Sequence, residues 1–221
     1  MVAGSSNWIM HSTIHVAAME STMSRQANGS VVLWVDAVGG FLVCPSDRII
    51  IGQALPAAGV DIAVQADISR RHATIHRDGE GYVLAPASAT MVDGKPIHTA
   101  TNLNDGSLIQ LGDGVRMKFR RPHPLSASAC ITMDSHHRTQ PNVDGIILMA
   151  DTLVLGPGGN SHIVARDWNQ QILLFRQDDQ WFCRSDKPFE VNGNDCLGEA
   201  TTVGPGMQIR GKSFSMSMES V

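Results

Sequence analysis

The stretch Val115-Arg116-Met117-Lys118-Phe119-Arg120 alternates strictly between apolar and basic residues. Successive side chains of a β-strand point to opposite faces, so this period of two predicts a strand with one buried and one exposed face. Short β-branched runs of similar length precede it, separated by Gly, Pro, Asn and Asp residues that favour tight turns. These runs lie at residues 31–35, 40–44, 48–52, 61–64, 71–76 and 81–84. No segment shows a helical apolar stripe, so the sequence predicts an all-β fold of the sandwich type.

The pattern of the first half recurs in the second half. The run Ile49-Ile50-Ile51-Gly52 is echoed by Leu153-Val154-Leu155-Gly156, and the closing alternation returns at residues 214–218. The echoes keep their order, which indicates two β-sandwich domains of similar topology in tandem. One large sandwich with recurring turns is the alternative.

Composition changes along the chain predict the domain boundaries. A flexible tail is expected at residues 1–29, a first sandwich at 30–122 and a second at 129–221. Residues 123–128 lie in a Pro- and Ser-containing stretch without periodicity, which is typical of a linker. This division predicts that a fragment of residues 29–124 folds alone.

The overall composition excludes several classes of function. Of the 221 residues, 43% are hydrophobic and 17% are charged, which is enough apolar material for a folded core. The net charge of −4, from 17 Lys and Arg against 21 Asp and Glu, offers no basic excess for a nucleic-acid partner. The apolar runs are far shorter than the roughly 20 residues that cross a bilayer, so no membrane partner is expected.

The cysteines and the N-terminal residues predict the cellular compartment. The four cysteines form no CxxC pair and are too sparse for a disulfide framework, which favours reduced thiols in the cytoplasm. The N-terminal residues lack the charged and apolar regions of a signal peptide. Arg greatly outnumbers Lys, a composition that fits a GC-rich bacterial genome.

One loop between two predicted strands carries the groups for anion binding. It reads Asp67-Ile68-Ser69-Arg70-Arg71-His72-Ala73. A serine hydroxyl donates one short hydrogen bond to an oxyanion, and arginine adds forked, charge-assisted ones. The loop is therefore a candidate phosphate site, and a solvated cationic patch is the alternative interpretation.

Five motifs in this order resemble the forkhead-associated (FHA) family over residues 31–121. They lie at residues 49–52, 61–62, 69–73, 90–97 and 103–112. The resemblance implies a β-sandwich whose loops at one end bind phosphothreonine peptides. The implied partner is a threonine-phosphorylated protein, the substrate of a Ser/Thr protein kinase.

The resemblance also implies roles for individual residues. In these roles Ser69 donates to the phosphate, Arg70 adds charge, and His72 braces the loop. The implied phosphopeptide-binding residues are Ser69, Arg70, Arg71, Gln53, Ser88 and Thr90, and the implied structural supports are Gly52, His72 and Gly94. No catalytic residue, metal or cofactor is expected.

Two departures from the family pattern leave two hypotheses open. Gln53 stands where the family has an arginine, and Ser88 stands where it has an asparagine. The string Ser69-Arg70-Arg71-His72 favours a phosphothreonine-binding adaptor in signalling, whereas the two departures favour a phosphate-independent FHA-like scaffold.

The loop of the second repeat differs from that of the first repeat. Asp167-Trp168-Asn169-Gln170-Gln171 aligns with residues 68–72 and keeps none of the phosphate donors, so a degenerate FHA-like domain is expected.

Asp67, Ser69 and His72 superficially form a hydrolase triad. On one strand and its turn, however, three residues so close in sequence do not converge as acid, base and nucleophile.

Overall fold

The computed structural model describes residues 29–79, 81–123, 125–177 and 179–221. Within these ranges every regular element is a β-strand, and no helix is long and apolar enough to cross a membrane. The predicted all-β class is confirmed. The predicted tail at residues 1–29 lies outside the described residues except for Gly29.

The strands of the first half run from β1 to β11. They are β1 (Val31–Val35), β2 (Gly39–Cys44), β3 (Arg48–Gln53), β4 (Ile62–Val64), β5 (Ala73–Asp78), β6 (Gly81–Pro86), β7 (Thr90–Val92), β8 (Lys95–Ile97), β9 (Thr101–Asn102), β10 (Leu108–Leu111) and β11 (Val115–Arg120). In β11 the predicted alternation is confirmed, because Val115, Met117 and Phe119 are buried and the three basic side chains between and after them are exposed.

The strands of the second half run from β12 to β23. They are β12 (Ala129–Met133), β13 (Thr139–Gln140), β14 (Gly145–Leu148), β15 (Thr152–Gly156), β16 (Ile163–Val164), β17 (Ile172–Gln177), β18 (Gln180–Ser185), β19 (Phe189–Val191), β20 (Asn194–Cys196), β21 (Thr201–Val203), β22 (Gln208–Gly211) and β23 (Phe214–Ser220).

Three sheets build two sandwiches. The largest has twelve strands in the order β20-β19-β22-β23-β1-β2-β14-β12-β11-β10-β7-β8. The second sheet has the order β13-β4-β3-β5-β6-β9, and the third has the order β16-β15-β17-β18-β21. The two smaller sheets belong to separate hydrophobic cores, which we call the first core and the second core.

The central strands of the large sheet contribute to both cores. In β2, Leu42 and Cys44 pack in the first core and Val43 packs in the second. In β14, Ile146 lies in the first core and Ile147 in the second. Because neighbouring residues of a strand point to opposite faces, the two cores lie on opposite faces of this sheet. Burial on both faces explains why these strands read as continuous apolar runs rather than alternating ones.

The order of the central strands shows an exchange between the two halves of the chain. The first sandwich continues from β11 to β12 and then β14, which both come from the second half. The second sandwich continues from β23 to β1 and then β2, which both come from the first half. At the centre, β2 and β14 pair in parallel. The boundaries 30–122 and 129–221 stay a prediction about independent units, and the topology requires each sandwich to borrow two strands across them.

Residues 123–128, predicted as a linker, are packed against the sandwiches where they are described. The Tyr82 hydroxyl donates to the Ala127 carbonyl oxygen at 2.7 Å and to that of Leu148 at 3.1 Å. The Ser128 hydroxyl donates to the Thr152 carbonyl oxygen at 2.7 Å. These bonds tie the connection between the halves to both of them.

Tyr82→Phe is expected to lower the free energy of unfolding by about 1–2 kcal/mol. The side chain is 2% exposed, so the variant removes this donor from the buried Leu148 carbonyl oxygen and the partly buried Ala127 carbonyl oxygen. Denaturant unfolding monitored by tryptophan fluorescence measures the change. An unchanged transition midpoint would show that the hydroxyl does not support the connection.

Candidate functional site

Two loops at one end of the first sandwich bring together most of the predicted site residues. We call residues 65–72 the Ser69 loop and residues 86–90 the Ser88 loop. The backbone N–H of Gln53 donates to the Ser69 carbonyl oxygen at 3.2 Å, and that of His72 donates to Ile51 at 2.8 Å. The end of β3 is therefore hydrogen-bonded to the Ser69 loop at both Ser69 and His72.

Gly52 is required by the close approach of the Ser69 loop. A Cβ atom at position 52 would collide with the carbonyl oxygen of Arg70 and lie 3.1 Å from the Cα atom of Arg71. Any side chain here would push the loop away from β3. This contact gives a physical reason for the structural role predicted for Gly52.

His72 connects the two loops from a buried position. Its ring is 2% exposed, Nδ1 accepts a hydrogen bond from the Ser69 backbone N–H at 3.2 Å, and Nε2 lies 2.8 Å from the Ala89 carbonyl oxygen. This pattern places the proton on Nε2, which donates to Ala89. The His72 carbonyl oxygen also accepts from the N–H groups of Ala87 and Ser88. His72 thus braces both loops.

The side chains at the tip leave donors available to a ligand. The Ser88 hydroxyl donates to the Ser69 hydroxyl at 2.6 Å. Arg70 and Arg71 are exposed, and neither guanidinium has a hydrogen bond or ion pair with the described residues. The two loops therefore bring two hydroxyl groups together, and two unpaired cations follow Ser69 in the same loop.

Thr90 and Gly94 occupy different places. Thr90 is 3% exposed, and its hydroxyl donates to the Ser88 carbonyl oxygen at 2.9 Å, which fixes the Ser88 loop. Gly94 lies in the turn after β7, at the opposite end of that strand from Thr90. Its φ of 75° favours glycine there, and Gly94 shapes a distant turn rather than the site.

The hydrolase triad is not assembled. Both ring nitrogens of His72 are committed to backbone groups, and the Ser69 hydroxyl accepts from Ser88 instead. Burial raises the pKa of the Cys44, Cys130 and Cys183 thiols to about 12, which keeps them protonated and unreactive. The described part of the chain also contains no group of three or more His, Cys, Asp or Glu side chains that could hold a metal.

In the corresponding loop of the second sandwich, Trp168 and Asn169 make contacts within the protein. Trp168 is buried against Phe214 with ring centroids 4.7 Å apart. The Asn169 backbone N–H and side-chain oxygen both bond the Ser213 hydroxyl, at 3.1 and 3.0 Å, and the Asn169 carbonyl oxygen accepts from Lys187. Residues 168–170 therefore lack the pair of hydroxyl groups that Ser69 and Ser88 form, although Arg166 at the start of this loop is exposed.

One contribution to the loop end could not be predicted from the sequence. The segment 134–144, between β12 and β14, reaches the first sandwich, where β13 pairs with β4. The Arg138 carbonyl oxygen accepts from the Gln65 backbone N–H at 2.8 Å. The His137 ring packs against Gly114, 3.3 Å from the point that a Cβ atom at residue 114 would occupy. Only the strand exchange brings this segment here, and no sequence motif marks it.

A groove adjoins the Ser88 loop. It has a volume of about 430 Å³ and includes Ala89, Met91 and Ile97 in its lining, together with the polar side chain of Gln110. An extended segment held at the loop tip has room to continue along this surface.

Comparison with known proteins places these residues in a family. The family model of the FHA domain matches residues 49–112. The FhaA FHA domain complexed with the intracellular domain of Rv3910 is 33% identical; the match covers 38% of this chain and 92% of that chain, with a TM-score of 0.23. A domain from a study of phosphothreonine-dependent FHA domain interactions is 31% identical; the match covers 38% and 88% of the two chains, with a TM-score of 0.24.

A longer protein matches over a smaller share of its length. Mycobacterium tuberculosis EmbR, in complex with a low-affinity phosphopeptide, is 24% identical; the match covers 46% of this chain and 28% of EmbR, with a TM-score of 0.30. No curated protein matches the chain. Because the TM-scores are low, the assignment rests on the family model and on sequence identity.

Proposed function

Because the chain belongs to the FHA domain family through residues 49–112, we propose that its first sandwich binds a phosphothreonine segment of a partner protein. The observation that carries the proposal is the loop tip, where the Ser69 and Ser88 hydroxyls lie 2.6 Å apart beside two unpaired arginines. FHA domains are binding modules rather than enzymes. A binding role without catalysis is the corresponding proposal for this chain.

The chemistry of a phosphate group fits this arrangement. A phosphothreonine carries about −1.5 to −2 charges at neutral pH and three strong acceptor oxygens. The two hydroxyl groups are free to rotate their hydrogens toward such an acceptor, and Arg70 and Arg71 supply charge-assisted hydrogen bonds. The loop is held in place by His72 and by β3 before any ligand arrives, so little ordering free energy is lost on binding.

The setting of the interaction follows from the same chemistry. The proposed partner is a protein phosphorylated by a Ser/Thr protein kinase, and the proposed compartment is the bacterial cytoplasm. The four cysteines are free thiols, which suits a reducing compartment. The second sandwich is proposed to act through shape and packing rather than through phosphate.

The alternative function is a scaffold that binds partners without phosphate. It is favoured by Gln53, a neutral amide that takes the place of the family's arginine. An array of peptides centred on threonine or phosphothreonine, probed with the full chain, separates the two functions. We expect binding only to the phosphorylated set. Equal binding to both sets would favour the scaffold.

Gln53→Arg is expected to strengthen phosphopeptide binding by about 1.5–3 kcal/mol, the usual contribution of a hydrogen bond to a charged group. The backbone N–H of residue 53 bonds the Ser69 carbonyl oxygen, so position 53 adjoins the proposed phosphate site. Calorimetric titration of the full chain measures the gain, which added salt should reduce.

A control for this variant adds the same charge elsewhere. Gln177→Arg places a guanidinium on an exposed position of β17 in the second sandwich and should leave the affinity unchanged. If Gln53→Arg and Gln177→Arg give the same affinity as the unmodified chain, the Ser69 loop does not bind phosphate.

A further inference from the structure

The strand exchange delivers an arginine from the second half of the chain to the loop end of the first sandwich. Arg138 immediately precedes β13, and its carbonyl oxygen accepts from the Gln65 N–H at 2.8 Å. Thr139, the next residue, pairs with Val64 of β4. Gln65 opens the Ser69 loop, so Arg138 lies beside the base of the loop that carries Ser69.

The segment that carries Arg138 is fixed on both sides. Thr139 is 1% exposed, and its hydroxyl donates to the Pro141 carbonyl oxygen at 2.8 Å. On the other side, the Ser135 hydroxyl lies 3.0 Å from Nδ1 of His137, and the Asp134 backbone N–H donates to the Arg116 carbonyl oxygen at 2.8 Å. The position of the Arg138 backbone is therefore set by the fold and not by a free loop.

The charge of Arg138 has no partner among the described residues. The arginines that do form ion pairs there are Arg77, Arg116, Arg120 and Arg176. Arg138 is exposed and forms neither an ion pair nor a side-chain hydrogen bond. Its guanidinium is free to meet an anionic group of a ligand.

The distance of Arg138 from the phosphate site indicates which anionic group of the ligand it contacts. Strands β13, β4 and β3 are neighbours, so Arg138 lies two strands from Gln53, about 10 Å at the usual strand spacing. Thr139 and Val64 point inward to the core, and Arg138 therefore projects from the other side of the strand. Gln53 pairs with Val64 and shares its inward face, so Arg138 lies at the same end of the sheet as the Ser69 loop but on the outer face. Arg138 therefore flanks the loop end and is not part of the phosphate site itself.

We propose that Arg138 determines specificity by pairing with a carboxylate side chain that flanks the phosphothreonine in the bound segment. The inference rests on the proposed function, and it adds a preference for acidic neighbours. It also makes the second half of the chain a direct part of the binding surface of the first sandwich.

Two synthetic phosphothreonine peptide mixtures test this assignment with the full chain. One mixture is degenerate with Asp and Glu at the positions flanking the phosphothreonine, and the other carries Asn and Gln at those positions. The unmodified chain is expected to bind the acidic mixture about twofold to fivefold more tightly, the range of an exposed charge pair. Arg138→Gln should remove this preference while binding to the amide mixture stays unchanged.

Matched variants separate failure of this inference from failure of the proposed function. Arg166→Gln removes the same charge from an exposed position at the corresponding loop of the second sandwich and should keep the preference. Ser69→Ala should weaken binding of both mixtures. If binding depends on Ser69 while Arg138→Gln keeps the acidic preference, only the role of Arg138 is wrong. If the unmodified chain binds neither mixture, both proposals fail.

Discussion

A fragment of residues 29–124, which the sequence pattern predicts to fold alone, is expected from the strand exchange to be unfolded under conditions in which the full chain is folded. The fragment lacks β12 and β14, and with them four buried residues of the first core. These are Ala129, Ile131, Ile146 and Leu148. Truncating a single large aliphatic core residue costs about 2–5 kcal/mol, whereas a whole domain is stable by only about 5–15 kcal/mol. Circular dichroism and denaturant unfolding measure the outcome.

A slightly longer fragment is the control. Residues 29–149 include every residue of the first core, together with the β11–β12 and β12–β14 pairings. This fragment is expected to recover a β-sheet spectrum and cooperative unfolding. If the fragment 29–124 is as stable as the fragment 29–149, then β1 and β2 can take the places of β12 and β14 in the first sandwich. The strand exchange would then not be required for the first sandwich to fold.

Ser69→Ala is expected to weaken phosphopeptide binding about tenfold or more. The variant removes a donor to the phosphate and leaves Ser88 without the hydroxyl that it contacts. Arg70→Gln should cause a similar loss by removing a charge-assisted donor. Calorimetric titration of the full-length variants with one phosphothreonine peptide measures both effects.

Asn169→Ala provides the comparison in the second sandwich. Its side chain bonds Ser213 within the protein, so the variant should change stability slightly and phosphopeptide affinity not at all. A loss of affinity as large as that of Ser69→Ala would show that the second loop takes part in binding.

Local features of this chain could be predicted from the sequence because they depend on neighbouring residues. The alternation at residues 115–120 sets the buried face of β11, and the string from Ser69 to His72 forms the predicted loop. Gly52 and His72 are predicted as supports from the family resemblance, and their contacts with Arg70 and with Ala89 join segments that are 17 or 18 residues apart in the sequence.

The exchange of strands could not be predicted from the same pattern. Residues 31–33 and 145–148 are buried on both faces, so their side chains do not indicate which core they serve. Each half supplies two such strands before its next sheet, and the apolar pattern fits either sandwich. For the same reason the sequence predicts Arg138 as a loop residue of the second half, although its carbonyl oxygen bonds Gln65, the first residue after β4 of the first sandwich.

The packing of residues 123–128 against the sandwiches could not be predicted from the sequence either. Pro and Ser residues without periodicity are typical of a linker. Here the Ser128 hydroxyl bonds backbone groups of the second half, and the Tyr82 hydroxyl of the first half bonds the Ala127 carbonyl oxygen. Sequence periodicity does not reveal either contact.

The most direct test of phosphate recognition is a calorimetric titration of the full chain with one peptide in two forms, with threonine and with phosphothreonine at the centre. The arrangement of Ser69, Ser88 and the unpaired Arg70 and Arg71 predicts saturable binding of the phosphorylated form, weakened by Ser69→Ala, and no measurable binding of the other form. Equal affinity for the two forms, or binding of the phosphorylated form that Ser69→Ala leaves unchanged, would contradict it.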